Sequence, residues 1–221
     1  MTPALFGENA SGWTDMSNHL VHFTKDYGGR DAYRNMLGIL SGGVIRARNA
    51  FGICRKTAPD PQSQLATCLS EVPLHQLGRL SAKRSEHGIV FRKDFVIGRG
   101  GNPILYAYKD RAVAKAIKKL AQQAGNDAEN PIWRVTPFVD VPGSYGTSQY
   151  FFEWEREWRV VGDFAFTPDD VVFLIIPENL HAAARSFVDD ARTENLGPAY
   201  DCPFIDAHWD LETIQPLLAN A

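Results

Sequence analysis

An α+β fold, one domain around a split and mostly antiparallel central sheet, is what the sequence predicts, and three observations carry it. Short β-rich runs recur at 18–24, 65–71, 88–95, 103–109, 151–162 and 171–177. Helical periodicity is confined to a few segments, of which 110–125 is the clearest. Strands and helices do not alternate in the regular βαβ order that a parallel sheet requires. With 221 residues, 44% of them hydrophobic and 22% charged, the chain can bury a full core as one domain.

The elements follow in order. Residues 1–17 read as a loose arm. NHLVHFT (18–24) alternates as a first strand does. DAYRNMLGILSGG (31–43) places Tyr33, Met36, Leu37 and Leu40 at helical spacing, and the glycine pair stops the helix. LATCLSEVPL (65–74) is a buried strand running into a turn at Pro73. The segment from Leu74 to Ser85 is helical. HGIVFRKDFV (87–96) is a strand, and PILYAYK (103–109) is another with Pro103 at its edge. In 110–125, Ala112, Ala116, Ile117, Leu120 and Ala124 line one face and Gly125 ends the helix. YFFEWEREWRVVGDF and VVFLIIP are strand-like, and 178–194 is helical.

Composition excludes several function classes. The net charge is −3 and the pI about 6.1, so nothing pulls the whole chain toward nucleic acid or an anionic membrane. A local basic face does occur on 110–125, where Arg111, Lys115, Lys118 and Lys119 can contact phosphates. No apolar run reaches the length of a membrane span. Cys54, Cys68 and Cys202 lie far apart without metal spacing, which predicts reduced thiols in a cytoplasmic protein. His19 and His22 fall on opposite faces of a strand, so no metal site is expected. GRGGNP (98–103) precedes a strand rather than a helix, which makes it a turn and not a phosphate loop.

Two stretches carry candidate chemistry. In HFT (22–24), His22 and Thr24 share a strand face and can hydrogen-bond the hydroxyls of a ligand; a pair satisfied within the strand is the plainer account. In EWEREWRVV (153–161), an extended chain puts Glu153, Glu155, Glu157 and Arg159 on one face and Trp154, Arg156, Trp158 and Val160 on the other, with Trp154, Trp158 and Val160 able to face the core. Either that polar face is solvated, or one of its carboxylates does chemistry.

Taken together, LVHFT, NMLGILSGGVI, TCLSEVPL, HGIVFRKDF, GNPILYAY, EWEREWRVV and VVFLIIPENL resemble the abortive-infection (AbiGi-type) family. That family's pattern is an early H-F-T, a helix ending in glycine, C-F-x-[DE]-x-P-L, G-I-x-F-x-K, N-P-V-x-Y and E-x-E-W-R. The resemblance covers about 18–180, and departs where Leu69 stands for the aromatic after Cys68.

More distantly, the layout is similar to ADP-ribosyltransferases of the DarT toxin type. This second resemblance implies an ADP-ribosyltransferase-like fold and NAD as the substrate. His22 and Thr24 then bind NAD, and Tyr106 (or Tyr108) stacks on nicotinamide. Glu157 is the catalytic carboxylate with Glu155 as its auxiliary, stabilising an oxocarbenium-like state as the glycosidic bond breaks. The function it implies is transfer of ADP-ribose to nucleic acid or protein, in anti-phage defence or a toxin–antitoxin pair. A cognate toxin or antitoxin protein is then a partner. Two other readings stand beside it: a non-catalytic, antitoxin-like or sensor module, and a metal-dependent hydrolase, which needs a third carboxylate.

Overall fold

Strands and helices are interleaved along the chain, and the strand pairing is mostly antiparallel, as an α+β class requires. The computed structural model describes residues 16–194 and 197–219, so 1–15 of the expected arm lie outside it. The described residues gather into two compact units. One takes the chain up to Val44, then Glu71–Gly98, then the part from Ala165 onward. The other takes Ile45–Ser70 and Arg99–Phe164.

In the first unit the Gly88–Arg92 strand is central. Val90 stands opposite Val21 of the His19–Phe23 strand and opposite Phe173 of the Val171–Ile175 strand, antiparallel to both. The short strand Phe204–Ile205 joins the far side of Val171–Ile175 in parallel. A central strand covered on both faces is a continuous apolar run, and Gly88–Phe91 is buried throughout. Alternation then sorts the residues. Val21, Val90, Phe173 and Ile175 pack against Leu77, Leu80 and Ile214, brought by the helices Leu77–Ser81 and Leu211–Leu218. Leu20, Ile89, Phe91 and Leu174 point the other way and are equally buried. On that second side lie the helices Ala32–Gly42 and His181–Thr193, whose Met36, Leu40, Ala184 and Val188 gather near Leu174.

The first helix shows how local sequence sets its ends. Asp31 caps it by accepting a hydrogen bond from the Arg34 backbone N–H. Gly43 ends it at φ 58°, and a Cβ there would stand 2.9 Å from the Phe166 carbonyl oxygen, so both the backbone and the close approach require glycine.

The expected strand 88–95 stops at Arg92, and Lys93–Gly98 is helical. A buried ion pair sits at the change. Lys93 turns inward, 3% exposed, and its ammonium lies 2.9 Å from the buried Glu71 carboxylate. The Ser17 N–H donates to the same oxygen at 3.2 Å. Glu71 of CLSE and Lys93 of FRK thus form one interior ion pair.

In the second unit, Asn49–Ala50, Leu65–Glu71, Glu157–Val161 and Asn102–Pro103 pair in that order, each antiparallel to the next. The expected single strand 103–109 is instead broken. Asn102–Pro103 pairs with Glu157–Val161, whereas Leu105–Tyr106 runs parallel to Val139–Asp140. The change of partner falls at Ile104, whose N–H donates to the Glu157 carbonyl at 3.0 Å. The expected helix 110–125 is present as Ala112–Ala124, but its buried stripe is rotated. Ala114 and Ala121 are buried and Ile117 and Ala124 partly so, against Cys54, Trp133, Ala107 and Val139. Ala112, Ala116 and Leu120 are exposed, as are Arg111, Lys115, Lys118 and Lys119. Small alanines allow this, because they tolerate either environment.

Two expected outcomes follow from the first unit. Lys93→Met leaves the Glu71 carboxylate buried without its cation and lowers stability by about 3–5 kcal/mol in urea unfolding, whereas Lys93→Met with Glu71→Met recovers most of the loss. The second concerns pH. Burial holds the His19 imidazole below its ordinary 6.5, with the Arg92 and Lys93 charges adding to it. A depressed folded value means the unfolded chain binds the proton first, so this contribution is intact above 6.5 and lost as pH falls below it. Melting temperature therefore declines from pH 7 to 5, and less steeply in His19→Phe.

Candidate functional site

The sequence expects a strand from 151 onward, but the chain is not extended there until Glu157. Glu153–Glu155 is a single 3₁₀ turn, and Arg156 takes a left-handed conformation at φ 45°. Glu155 and Glu157 therefore do not stand two apart on one strand face. Trp154, expected inward, is 36% exposed, while Trp158 and Val160 are buried as expected. Tyr150, Phe152 and Trp154 form a run of edge-packed and tilted rings ahead of the strand.

Within Glu157–Val161 the alternation does put Glu157 and Arg159 on the same face, and that face is interior. Arg159 is fully buried, at 0% exposure. Its Nε donates to Glu157 Oε1 at 2.7 Å, its Nη2 to Asp140 Oδ2 at 2.8 Å, and its Nη1 to the Pro137 carbonyl at 2.7 Å. The guanidinium also lies 4.8 Å from the centre of the Phe51 ring. A planar fork of donors suits three acceptors in one plane, which an ammonium does not.

Asp140 and the Pro137 turn are themselves held. The Tyr150 hydroxyl donates to Asp140 Oδ2 at 2.7 Å, and the Val141 N–H to Oδ1 at 3.0 Å. Pro137 follows Thr136, whose hydroxyl donates to the buried Gln64 at 3.0 Å. Gly52, at φ 89°, lets the chain next to Phe51 pass against this turn, where a Cβ would fall 2.0 Å from the Thr136 carbonyl oxygen.

The electrostatics follow from this enclosure. Burial works against the charge on Arg159, yet Glu157 above all, with Cys68 and Asp140, holds it well above the ordinary guanidinium range. Burial pushes the Asp140 carboxyl up, but the Tyr150 hydroxyl and Arg159 outweigh it and leave the group below its ordinary value. The Cys68 thiol is driven well up by burial and then by Glu157, against the pull of Arg159. It stays protonated at neutral pH and is no nucleophile. Burial raises the Tyr106 phenol to about 12.

The expected site residues divide between the two units. Tyr106, Glu155 and Glu157 are together in the second. Tyr106 donates to the Phe152 carbonyl at 3.2 Å and stands opposite Asp140 in the parallel pair. Glu155 is buried at 2% exposure. His22 and Thr24 belong to the first unit. Thr24 is 3% exposed, and its hydroxyl donates to the Ala32 carbonyl at 2.9 Å, tying the strand end to the start of the helix. Asp140, Pro137 and Phe51 were not legible as partners of Arg159, nor Tyr150 as the group that holds Asp140, since no local spacing links them. Among the described residues no three His, Cys, Asp or Glu side chains are grouped to hold a metal ion, and no helix is long and apolar enough to cross a membrane.

Fold and site thus define an α+β protein whose most charged motif encloses a cation. Residues 46–196, well over half of the chain, match the family described as "Putative abortive phage resistance protein AbiGi, antitoxin", and the chain belongs to that family. The matched span contains Glu71, Lys93, Tyr106 and the whole Arg159 cluster, and it begins after His22 and Thr24. Comparison with curated proteins and with solved structures returns no match, so the expected ADP-ribosyltransferase-like fold and the likeness to DarT-type toxins find no support there.

Arg159→Met strands two carboxylates in the interior and costs about 3–5 kcal/mol, measured as the shift in urea midpoint. Arg159→Lys keeps the charge but not the fork, and loses roughly 2 kcal/mol. Because the folded Asp140 value lies below the ordinary 3.8, its contribution is present above that pH and lost as pH falls through the folded value. The pH dependence of unfolding below 4 is therefore shallower in Asp140→Asn.

Proposed function

We propose that this protein is a non-catalytic, antitoxin-like component of a phage-resistance system, and that it works by binding a cognate toxin protein. The observation that carries this reading is the position of Glu157. A transferase needs that carboxylate free to face the anomeric carbon of NAD. Here it accepts from Arg159 at 2.7 Å and its side chain is only 11% exposed. Its charge is matched by an interior cation, which is the work of a structural group. The family's description as an antitoxin points the same way.

The test screens the genes that flank its own for one whose product arrests growth, and co-expresses the two. The expected result is relief of growth arrest together with a co-purifying complex, both retained in Glu157→Gln as long as that variant melts near wild type. In parallel, the purified protein is given labelled NAD with DNA, RNA and lysate proteins, and no label is transferred. Transfer by the wild type that disappears in Glu157→Gln would overturn the proposal in favour of NAD-dependent ADP-ribosylation.

A further inference from the structure

We propose that the first unit carries a docking groove for a basic, amphipathic segment of a partner protein. The inference rests on the antitoxin-like reading and says where that partner seats. A cavity of about 340 Å³ opens between the helices Ala32–Gly42 and His181–Thr193. Its floor is apolar, made by Met36, Leu40, Leu174, Ala184 and Val188. The Tyr200 hydroxyl beneath is already spent, donating to the Leu40 carbonyl at 2.6 Å. Asp190 and Glu194, both exposed, line the mouth.

The C-terminal segment that lines one side of this mouth is predominantly acidic. From Ala165 to Ala221 the chain carries ten Asp and Glu against two Arg. Both arginines are engaged within the unit. Arg185 lies 3.9 Å over the Phe204 ring and donates to the Tyr200 and Cys202 carbonyls. Arg192 pairs with Asp189 and Asp201. A negative field is therefore left at the lip of an apolar floor. That combination selects an occupant with aliphatic side chains at helical spacing on one face and Lys or Arg on the other. The acidic lip favours such a segment over an uncharged or acidic one and over nucleic acid, whose phosphates it repels.

The experiment measures binding of a labelled helical peptide, leucines along one face and lysines along the other, to the full chain. Controls replace its lysines by glutamate or its leucines by serine. The Lys–Leu peptide is expected to bind, with each control weaker by roughly tenfold or more. Asp190→Lys with Glu194→Lys, at exposed positions that leave the fold intact, weakens binding by about tenfold and flattens its salt dependence. Ala184→Trp fills the floor and abolishes binding, with circular dichroism and melting confirming that it folds. Equal binding of the glutamate peptide, or wild-type affinity in the rim variant, overturns the proposal. So does a small apolar dye that fills the cavity without competing with the peptide. The two readings fail differently. A toxin complex that survives Asp190→Lys with Glu194→Lys removes the groove and leaves the antitoxin-like function. Peptide binding in a protein that forms no toxin complex supports the groove and removes that function.

Discussion

A guanidinium with no access to water must find its counter-charges inside the protein, and the second unit is arranged around that requirement. Arg159 has one carboxylate on its own strand, another on the Val139–Asp140 strand and a carbonyl from the turn before it. Pro137 and Asp140 belong to one stretch, 22 and 19 residues before Arg159, so one side chain ties that stretch to the strand that carries Glu157. Burying ions is expensive, and such a cluster adds less to net stability than an apolar core of the same volume would. What it adds is direction. A wrongly assembled unit leaves a bare charge in the interior, whereas a misplaced leucine finds another apolar neighbour.

The first unit uses the same device on a smaller scale. Glu71 and Lys93 meet in the interior, Glu71 at the end of its strand and Lys93 just beyond Gly88–Arg92, where the chain turns from strand to helix. In both units a motif that stands out in the sequence for its charge is accounted for by an internal partner. Stretches of this kind invite a catalytic reading, because exposed carboxylates on strands are a feature of active sites. Burial separates the two cases, and burial is not visible in a linear pattern.

Much of the fold was legible. The strand positions near 19, 65, 88 and 171 and the helices beginning near 32, 112 and 181 follow from periodicity and from their caps. The misses have particular causes. Extended chain was expected from 151 because aromatics favour strands, but Arg156 adopts a left-handed backbone that composition does not announce. The run 103–109 was read as one strand because each residue suits a sheet, while the change of partner at Ile104 depends on two other strands. For the site, Glu157 beside Arg159 was legible from alternation alone. That their shared face is dry was not, since the groups that cover it, Phe51, Pro137, Asp140 and Tyr150, come from elsewhere in the chain.

The left-handed Arg156 divides the motif into two parts that respond differently to changes in length. Ahead of it, the 3₁₀ turn has no ladder to keep in step, so an inserted or deleted residue there displaces the aromatic rings and the buried Glu155 but leaves Glu157–Val161 in register with Leu65–Glu71. Beyond it, a side chain's face is decided by counting in twos. One residue added between Trp158 and Arg159 would put the indole and the guanidinium on one face, so that either the indole is driven in among the carboxylates or the guanidinium is carried to the side now filled by Trp158 and Val160. Chains descended from a common ancestor with this one therefore have almost no room to grow or shrink within the five residues Glu157–Val161.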